Sequence, residues 1–298
     1  MDNETTEEEV FNAVRENDIL TPGRPIVSGI GTLTEFVSAF VDQHLQPLLS
    51  SLPSYIQDST HFLNRLNDIP SPLPDGALLV TMDVSAPYTN IPHEEGIASC
   101  YNLLNAHGNP SYSEIAELIR FILRHNNFTF NDKNYLQVKG TAMGTRMAPS
   151  YANIFMHFLE QDFLSSFPQK PHFYSRFIDD IFIIWTHGVD SLMKFFDFVN
   201  NFHNSIKFTM DYSSKEICFL DVLVMIKEGL IETSVYSKPT DKHTYLHFNS
   251  FHPHHSKQSI VFSQLIRYKR LCSRQNYFMD KAIELFDFVS NGATHSSF

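Results

Sequence analysis

Two adjacent aspartates, Asp179 and Asp180, sit inside FYSRFIDDIFIIW (173–185), an almost unbroken apolar and aromatic run. Neighbouring carboxylates repel, and burying them without partners is costly. A tight hairpin turn reconciles the two facts. The flanking segments bury their side chains as strands, while the turn lifts both acids out at one edge of the sheet. Close carboxylates are hard-oxygen ligands suited to Mg²⁺. The candidate for a third is Asp83, which ends the apolar run ALLVTMDV (77–84) before VSAPYTNIP turns away. Two metal ions about 3.5–4 Å apart can activate an attacking hydroxyl and stabilise a leaving oxygen in phosphoryl transfer. The dipeptide alone suits a solvated β-turn, where Asp is common; its context favours the metal site.

The chain that must position these acids has 298 residues, 43% hydrophobic and 18% charged, which is globular rather than disordered. That length allows one large or two ordinary domains. No apolar run reaches the roughly 18 residues of a membrane span, and MDNETTEEEV is too acidic for a signal or transit peptide. Cys100, Cys218 and Cys272 lie far apart and form no CxxC pair, which suits a reducing compartment. Five histidines in 243–255 have no cysteine at metal spacing, so zinc is disfavoured.

The net charge of −11 argues at first against a nucleic-acid partner. The charge is segregated, however. Residues 1–20 hold seven acids and one Arg, whereas residues 237–275 hold seven Lys/Arg and one Asp. The basic third has the character needed to follow a phosphate backbone.

Periodicity then supplies the elements. A polar leader with a short helix from Glu7 precedes a Pro- and Gly-punctuated loop at 21–31, and 33–50 reads as helix. The strand at 77–84 follows, then helices over 93–106 and 112–125 and a hairpin at 128–138 with an NDK turn. SYANIFMHFLEQDFL (150–164) has the spacing of a buried helix. The acid-bearing hairpin, a helix at 190–204, strands IKFTMDYSS, CFLDVLVMI and IETSVYS, and a basic amphipathic helix at 256–274 complete the chain. This order is α+β: an antiparallel sheet with helices on one face.

Several blocks resemble a known family. FIDD between apolar strands resembles the [YF]xDD motif of reverse transcriptases, and Asp83 with Tyr88 resembles their first catalytic motif. GRPIVS (23–28), DVSAPYTNIP (83–92), GTAMGTRMAPSYANIF (140–155), RFIDDIF (176–182), CFLDVLV (218–224) and SVYSKPTDKHTYLHFNSFHP (234–253) fall in the order seen in Penelope-like retroelements. The resemblance covers about 22–275. It implies a right-hand polymerase of fingers, palm and thumb, with an antiparallel ferredoxin-like palm sheet backed by helices. The implied divisions are an acidic leader (1–20), partial fingers (21–76), a palm with fingers insertion and primer-grip hairpin (77–236), and a basic helical thumb (237–298).

By the same resemblance, Asp83 and Asp179 bind two Mg²⁺ ions (or Mn²⁺), with Asp180 supporting them. Tyr88 lies under the incoming sugar as a gate against a ribose 2′-OH, and Gly144 lets backbone approach the nucleotide. Pro149 starts the helix that follows, and Arg24 reaches the triphosphate, with Arg146 a second phosphate contact. Lys257, Arg267, Lys269 and Arg270 follow a primer–template duplex, and Asp221 is structural. The implied partners are an RNA template, a DNA primer and deoxynucleoside triphosphates, in an intracellular, nuclear setting without a membrane.

Departures from the family pattern are specific. Members usually carry longer fingers with an LPKxHK-like stretch before GRPIVS, and many carry a GIY-YIG endonuclease, so this chain reads as a truncated copy. Pro87 stands where Leu is usual, and Val261 where Pro is usual. An inactive remnant that only binds nucleic acid is the alternative. A nuclease or phosphatase on the same carboxylates is disfavoured, because no general base for water is evident.

Overall fold

The apolar run at 77–84 forms β1 (Leu78–Val84), the central strand of a computed structural model that describes residues 27–130, 133–238, 240 and 250–294. β1 pairs antiparallel with β5 (Asp180–Trp185) on one side and β6 (Phe208–Ser213) on the other. β4 (Phe173–Phe177) adds to β5, giving the order β4-β5-β1-β6. The two residues joining β4 to β5 are Ile178 and Asp179, so the acid pair does sit on a two-residue hairpin.

Strand alternation divides β1 between two cores. Leu78, Val80, Met82 and Val84 join Ile181, Ile183, Trp185 and Phe208 in packing against helices. These helices are α1 (Glu35–Leu45), α4 (His93–Ala106), α5 (Tyr112–Arg124), α6 (Ala148–Ser166) and α7 (Val189–Phe202). α5 is a plain amphipathic case, burying Ile115, Ile119 and Ile122 on one stripe. α6 is buried almost all round over its first three turns, from Ala148 to Met156, as expected of a helix at the centre of the fold.

The opposite face is not bare either. Leu79, Phe182 and Ile184 are covered by α2 (Ser59–Asn67) and by a second sheet of β7 (Glu216–Phe219), β8 (Val222–Lys227) and β9 (Leu230–Val235). The end of this face carrying Thr81, Asp83 and Asp180 opens into a cavity. Helices α8 (His254–Leu271) and α9 (Gln275–Thr294) dock onto β9, where Thr233 Oγ1 donates to the Leu271 carbonyl at 2.8 Å.

A single helical turn, α3 (Pro87–Asn90), follows β1, and β2 (Asn127–Phe130) with β3 (Lys133–Leu136) forms the expected hairpin. Pro87 fits without disruption because it occupies the first position of α3, where its missing N–H has no partner to lose. The leader helix expected from Glu7, and Arg24, lie outside the described residues, as do His243 and His247 of the histidine tract. Among the described residues no helix is long and apolar enough to cross a membrane.

Phe182 joins the two sheets, with its ring 5.0 Å from Phe62, 5.5 Å from Phe219 and 6.1 Å from Phe173 between centroids. Replacing it by Ala is expected to cost about 3–5 kcal/mol through the cavity left behind, read as a lower midpoint in urea unfolding.

Candidate active site

Asp83 and Asp180 are direct cross-strand partners in the β1–β5 register, so both side chains rise from the same face of the sheet. Thr81, Thr209 and Asp211 share that face, and all five line a cavity of about 480 Å³. Its opposite wall is Cys218, Phe219 and Leu220 from the β7–β8 hairpin, with Tyr236 and Lys238 beyond β9. Asp179 sits one residue earlier, on the turn, where its carbonyl accepts the Val84 N–H at 3.0 Å. This bond ties the turn to the end of β1.

Burial and the crowding of acids act together on one of the carboxyls. The Asp180 carboxyl is pushed up to about 6, first by burial, then by the charges of Asp179 and Asp83, with Lys238 pulling it back. Among the described residues no three His, Cys, Asp or Glu side chains converge as a ready-made metal cluster. The donor set nevertheless fits Mg²⁺, which is usually held by one or two carboxylates, with water and substrate phosphate oxygens completing its shell. A divalent cation would also relieve the repulsion that Asp180 shows.

The turn itself is strained. Ile178, a β-branched residue, has φ of +53°, a region such residues rarely enter. Arg176 holds it there: its Nη1 donates to the Ile178 carbonyl at 2.9 Å and to Asn153 Oδ1 at 2.6 Å. Its Nε meets Glu160 Oε1 at 2.6 Å, and the two side chains are only 0% and 2% exposed. Ser54 Oγ donates to Glu160 Oε2 at 2.5 Å and Tyr174 OH to Oε1 at 2.9 Å, so both charges are fully satisfied. The hydroxyl of Tyr174 is pushed well up, by burial first and by Glu160 next, which keeps it a donor.

Sequence reasoning gave Arg176, Glu160 and Asn153 no role. A signal was present: Asn153 and Glu160 are seven residues apart, on one face of a helix whose spacing is that of a buried element, and Arg176 interrupts a buried strand.

The remaining candidates are placed as follows. Tyr88 lies half-buried in α3, its hydroxyl pushed up by burial and then by Asp179, so it neighbours the turn acid. The Tyr88 carbonyl accepts the Thr141 N–H at 2.6 Å. Gly140, at φ of +64°, permits this contact, since a Cβ there would fall 2.1 Å from the same oxygen. At Gly144 the close approach is to this chain's own backbone. Its N–H donates to the Val27 carbonyl at 3.0 Å, and a Cβ would come within 2.2 Å of that oxygen. Within the chain, the close approach that the sequence signals at Gly144 is thus made by the Val27–Gly29 backbone.

Pro149 is exposed in the first turn of α6, and its carbonyl accepts from Asn153 Nδ2 at 2.9 Å, next to the Arg176 network. Arg146 is exposed beside Gly29 and Glu35. In α8, Arg267 pairs with Asp221 at 2.9 Å and so is not a free phosphate ligand. Ser59 Oγ also donates to Asp221, as a structural role requires. Lys269 is exposed, its Nζ 5.4 Å from the centre of the Phe278 ring, and Arg270 is exposed on a second cavity with Phe262. Lys257 belongs to α8, but its side chain lies outside the described residues.

Residues 24–219 match the family model for reverse transcriptase (RNA-dependent DNA polymerase), and 244–287 that for the animal helix-turn-helix domain. No curated protein matches the chain in sequence. Among solved structures, telomerase from Candida albicans in complex with a fragment of telomeric RNA is similar at TM-score 0.61 and 12% identity, over 89% of this chain and 48% of that one. The RNA-dependent RNA polymerase of a human picobirnavirus is similar at TM-score 0.57 and 11% identity, over 87% and 50%. Apo telomerase from Candida tropicalis gives TM-score 0.54 and 15% identity, over 87% and 49%. The chain thus spans about half the length of these structures, and at such identities the likeness establishes the right-hand polymerase fold.

Two outcomes follow from the geometry. Arg176→Met strands Glu160 as a buried unpaired charge and should cost about 3–5 kcal/mol, whereas adding Glu160→Leu should recover most of it in a double-mutant unfolding cycle. Asp180 folds preferentially as the neutral acid, because its carboxyl titrates near 6 in the fold against about 3.9 in an unfolded chain. Its contribution to stability is therefore lost as pH rises between those values. In EDTA at pH 7.5, Asp180→Asn should be more stable by about 1 kcal/mol, allowing for solvent screening at this half-exposed site. The difference should vanish below about pH 4.

Proposed function

This chain belongs to the reverse transcriptase (RNA-dependent DNA polymerase) family, and from that premise we propose that it extends a DNA primer on an RNA template. The subtype we infer is that of Penelope-like retroelements, supported by the ordered blocks from GRPIVS (23–28) to SVYSKPTDKHTYLHFNSFHP (234–253). The observation that carries the reading is the pairing of Asp83 with Asp180 across the two central strands, with Asp179 on the adjoining turn.

In this reading Asp83, Asp179 and Asp180 hold two Mg²⁺ ions, which neutralise the charge that develops when a primer 3′-OH displaces pyrophosphate. The protein's own part is placement. The β1–β5 register fixes two carboxylates on one face, and Arg176 fixes the turn that bears the third. Tyr88 stands beside Asp179 and would lie under the sugar of the deoxynucleotide, where its ring leaves no room for a 2′-OH. Arg146, and Arg24 of the same GRPIVS block, would meet the triphosphate, the guanidinium fork suiting phosphate oxygens. Pro149 and Gly144 would support that pocket from beneath by shaping the start of α6 and its preceding loop.

The proposed divisions follow the same logic: partial fingers over 21–76, palm over 77–236 and thumb over 237–298. In the thumb, exposed Lys269 and Arg270 would track the duplex, with Arg267 fixing the helix through Asp221. Retroelement kinship would place the protein in the nucleus.

Primer extension on an RNA template with Mg²⁺ or Mn²⁺ tests the reading. Incorporation of deoxynucleotides is expected, and Asp179→Asn should lower it about a thousandfold or more, the loss of several kcal/mol of charge stabilisation. Extension that survives this substitution would sink the assignment. Salt-dependent duplex binding without any incorporation would instead select the inactive, nucleic-acid-binding reading.

A further inference from the structure

Lys238 lies in the interval between the two family matches, which end at residue 219 and resume at 244. It follows β9 in a segment anchored where the Tyr236 N–H donates to the Asp221 carbonyl at 2.9 Å. Its exposed ammonium reaches the cavity of Asp83 and Asp180, close enough for its charge to act on Asp180. Among the described residues lining that cavity it is the one cation, against Asp83, Asp180 and Asp211. A polyanion entering a cavity of that charge is repelled at every phosphate except where a cation meets it.

The walls of the site indicate which strand arrives there. Tyr88 and the loop through Gly140 lie on the Asp179 side of the turn and do not line this cavity. If the incoming nucleotide occupies the Tyr88 side, the cavity walled by Cys218, Leu220, Tyr236 and Lys238 is left for the strand being extended.

We propose that Lys238 is a positioning residue that grips a backbone phosphate of the priming strand close to its 3′ end. The inference rests on the polymerase reading and adds to it the site where the primer's charge is met. A single ammonium facing one phosphate contributes one released counterion, so its removal should change the salt dependence by a fixed amount.

The test is duplex binding by fluorescence anisotropy, using the full chain, a recessed DNA primer on an RNA template, Mg²⁺ and no nucleotide. Relative to wild type, Lys238→Gln should flatten the slope of log Kd against log salt by about 0.7–0.9, and Lys238→Arg should restore it. That slope makes the wild type lose about threefold more affinity than the variant between 50 and 200 mM salt. A primer carrying a neutral methylphosphonate at one of its last linkages should weaken the wild type by a similar factor and leave Lys238→Gln unchanged. The same neutral linkage in the template should affect both proteins equally.

An unchanged slope in Lys238→Gln, or equal sensitivity of both proteins to the neutral primer linkage, would overturn the proposal. So would a variant altered only in melting temperature or Mg²⁺ requirement, because Lys238 would then serve only as a counter-ion to Asp180. If the wild type binds no duplex at all, the polymerase reading fails and takes this inference with it. Folding does not confound the comparison, since Lys238 is exposed and packs into neither core.

Discussion

The ion pair between Arg176 and Glu160 is the contact on which the candidate site depends. It is fully buried, and a buried pair of this kind stabilises little on balance, because desolvation offsets the attraction. Its value lies in direction. Arg176 has its donors distributed among Glu160, Asn153 and the Ile178 carbonyl, so it fixes α6, β4 and the turn relative to one another. An apolar substitute of equal volume would fill the space without dictating where the turn points. The strained φ of Ile178 persists because this network leaves the turn no alternative.

Much of the architecture was legible from residue order. The strand at 77–84, the hairpin around Asp179-Asp180 and the buried helix after Pro149 each carry a local signal of periodicity or turn chemistry, and each is found. The placement of Asp83 opposite Asp180 required only that two strands be adjacent. What escaped notice is long-range. Glu160 and Arg176 are 16 residues apart, and Ser54 and Glu160 are 106 apart, so no local pattern announces their union. Gly144 signals close approach without naming what approaches, and its intrachain neighbour, the Val27 carbonyl, could not be read from the sequence. Arg267 looked like a free cation until the fold supplied Asp221. The second sheet over Leu79 and Phe182 has one strand more than its pattern announces, because CFLDVLVMI, a single apolar run, breaks at Leu220-Asp221 into β7 and β8.

Charge distribution explains how an acidic protein can present a site for anions. The carboxylates cluster at one end of the central sheet, where burial first and their mutual repulsion second push the Asp180 carboxyl up. Basic residues are spread along the sequence but dense over 237–275, and two of them, Arg267 and Arg270, line the neighbouring cavity of Phe262 together with Asp58 and Asp221. The β7–β8 turn separates the two: Leu220 faces the carboxylates, and Asp221 faces the arginines. A single hairpin thus borders an acidic cavity on one side and a cavity of balanced charge on the other.

The two-residue hairpin at Ile178-Asp179 has a consequence for how this site can vary. With no slack between β4 and β5, and with β5 locked to β1, the spacing of Asp83 and Asp180 is set by counting residues. Core side chains around it can be exchanged for others of similar volume, and the acids will still meet. One residue gained or lost within β1 or β5 would turn an acid to the opposite face, among the helices. The geometry is therefore tolerant of spelling and intolerant of frame.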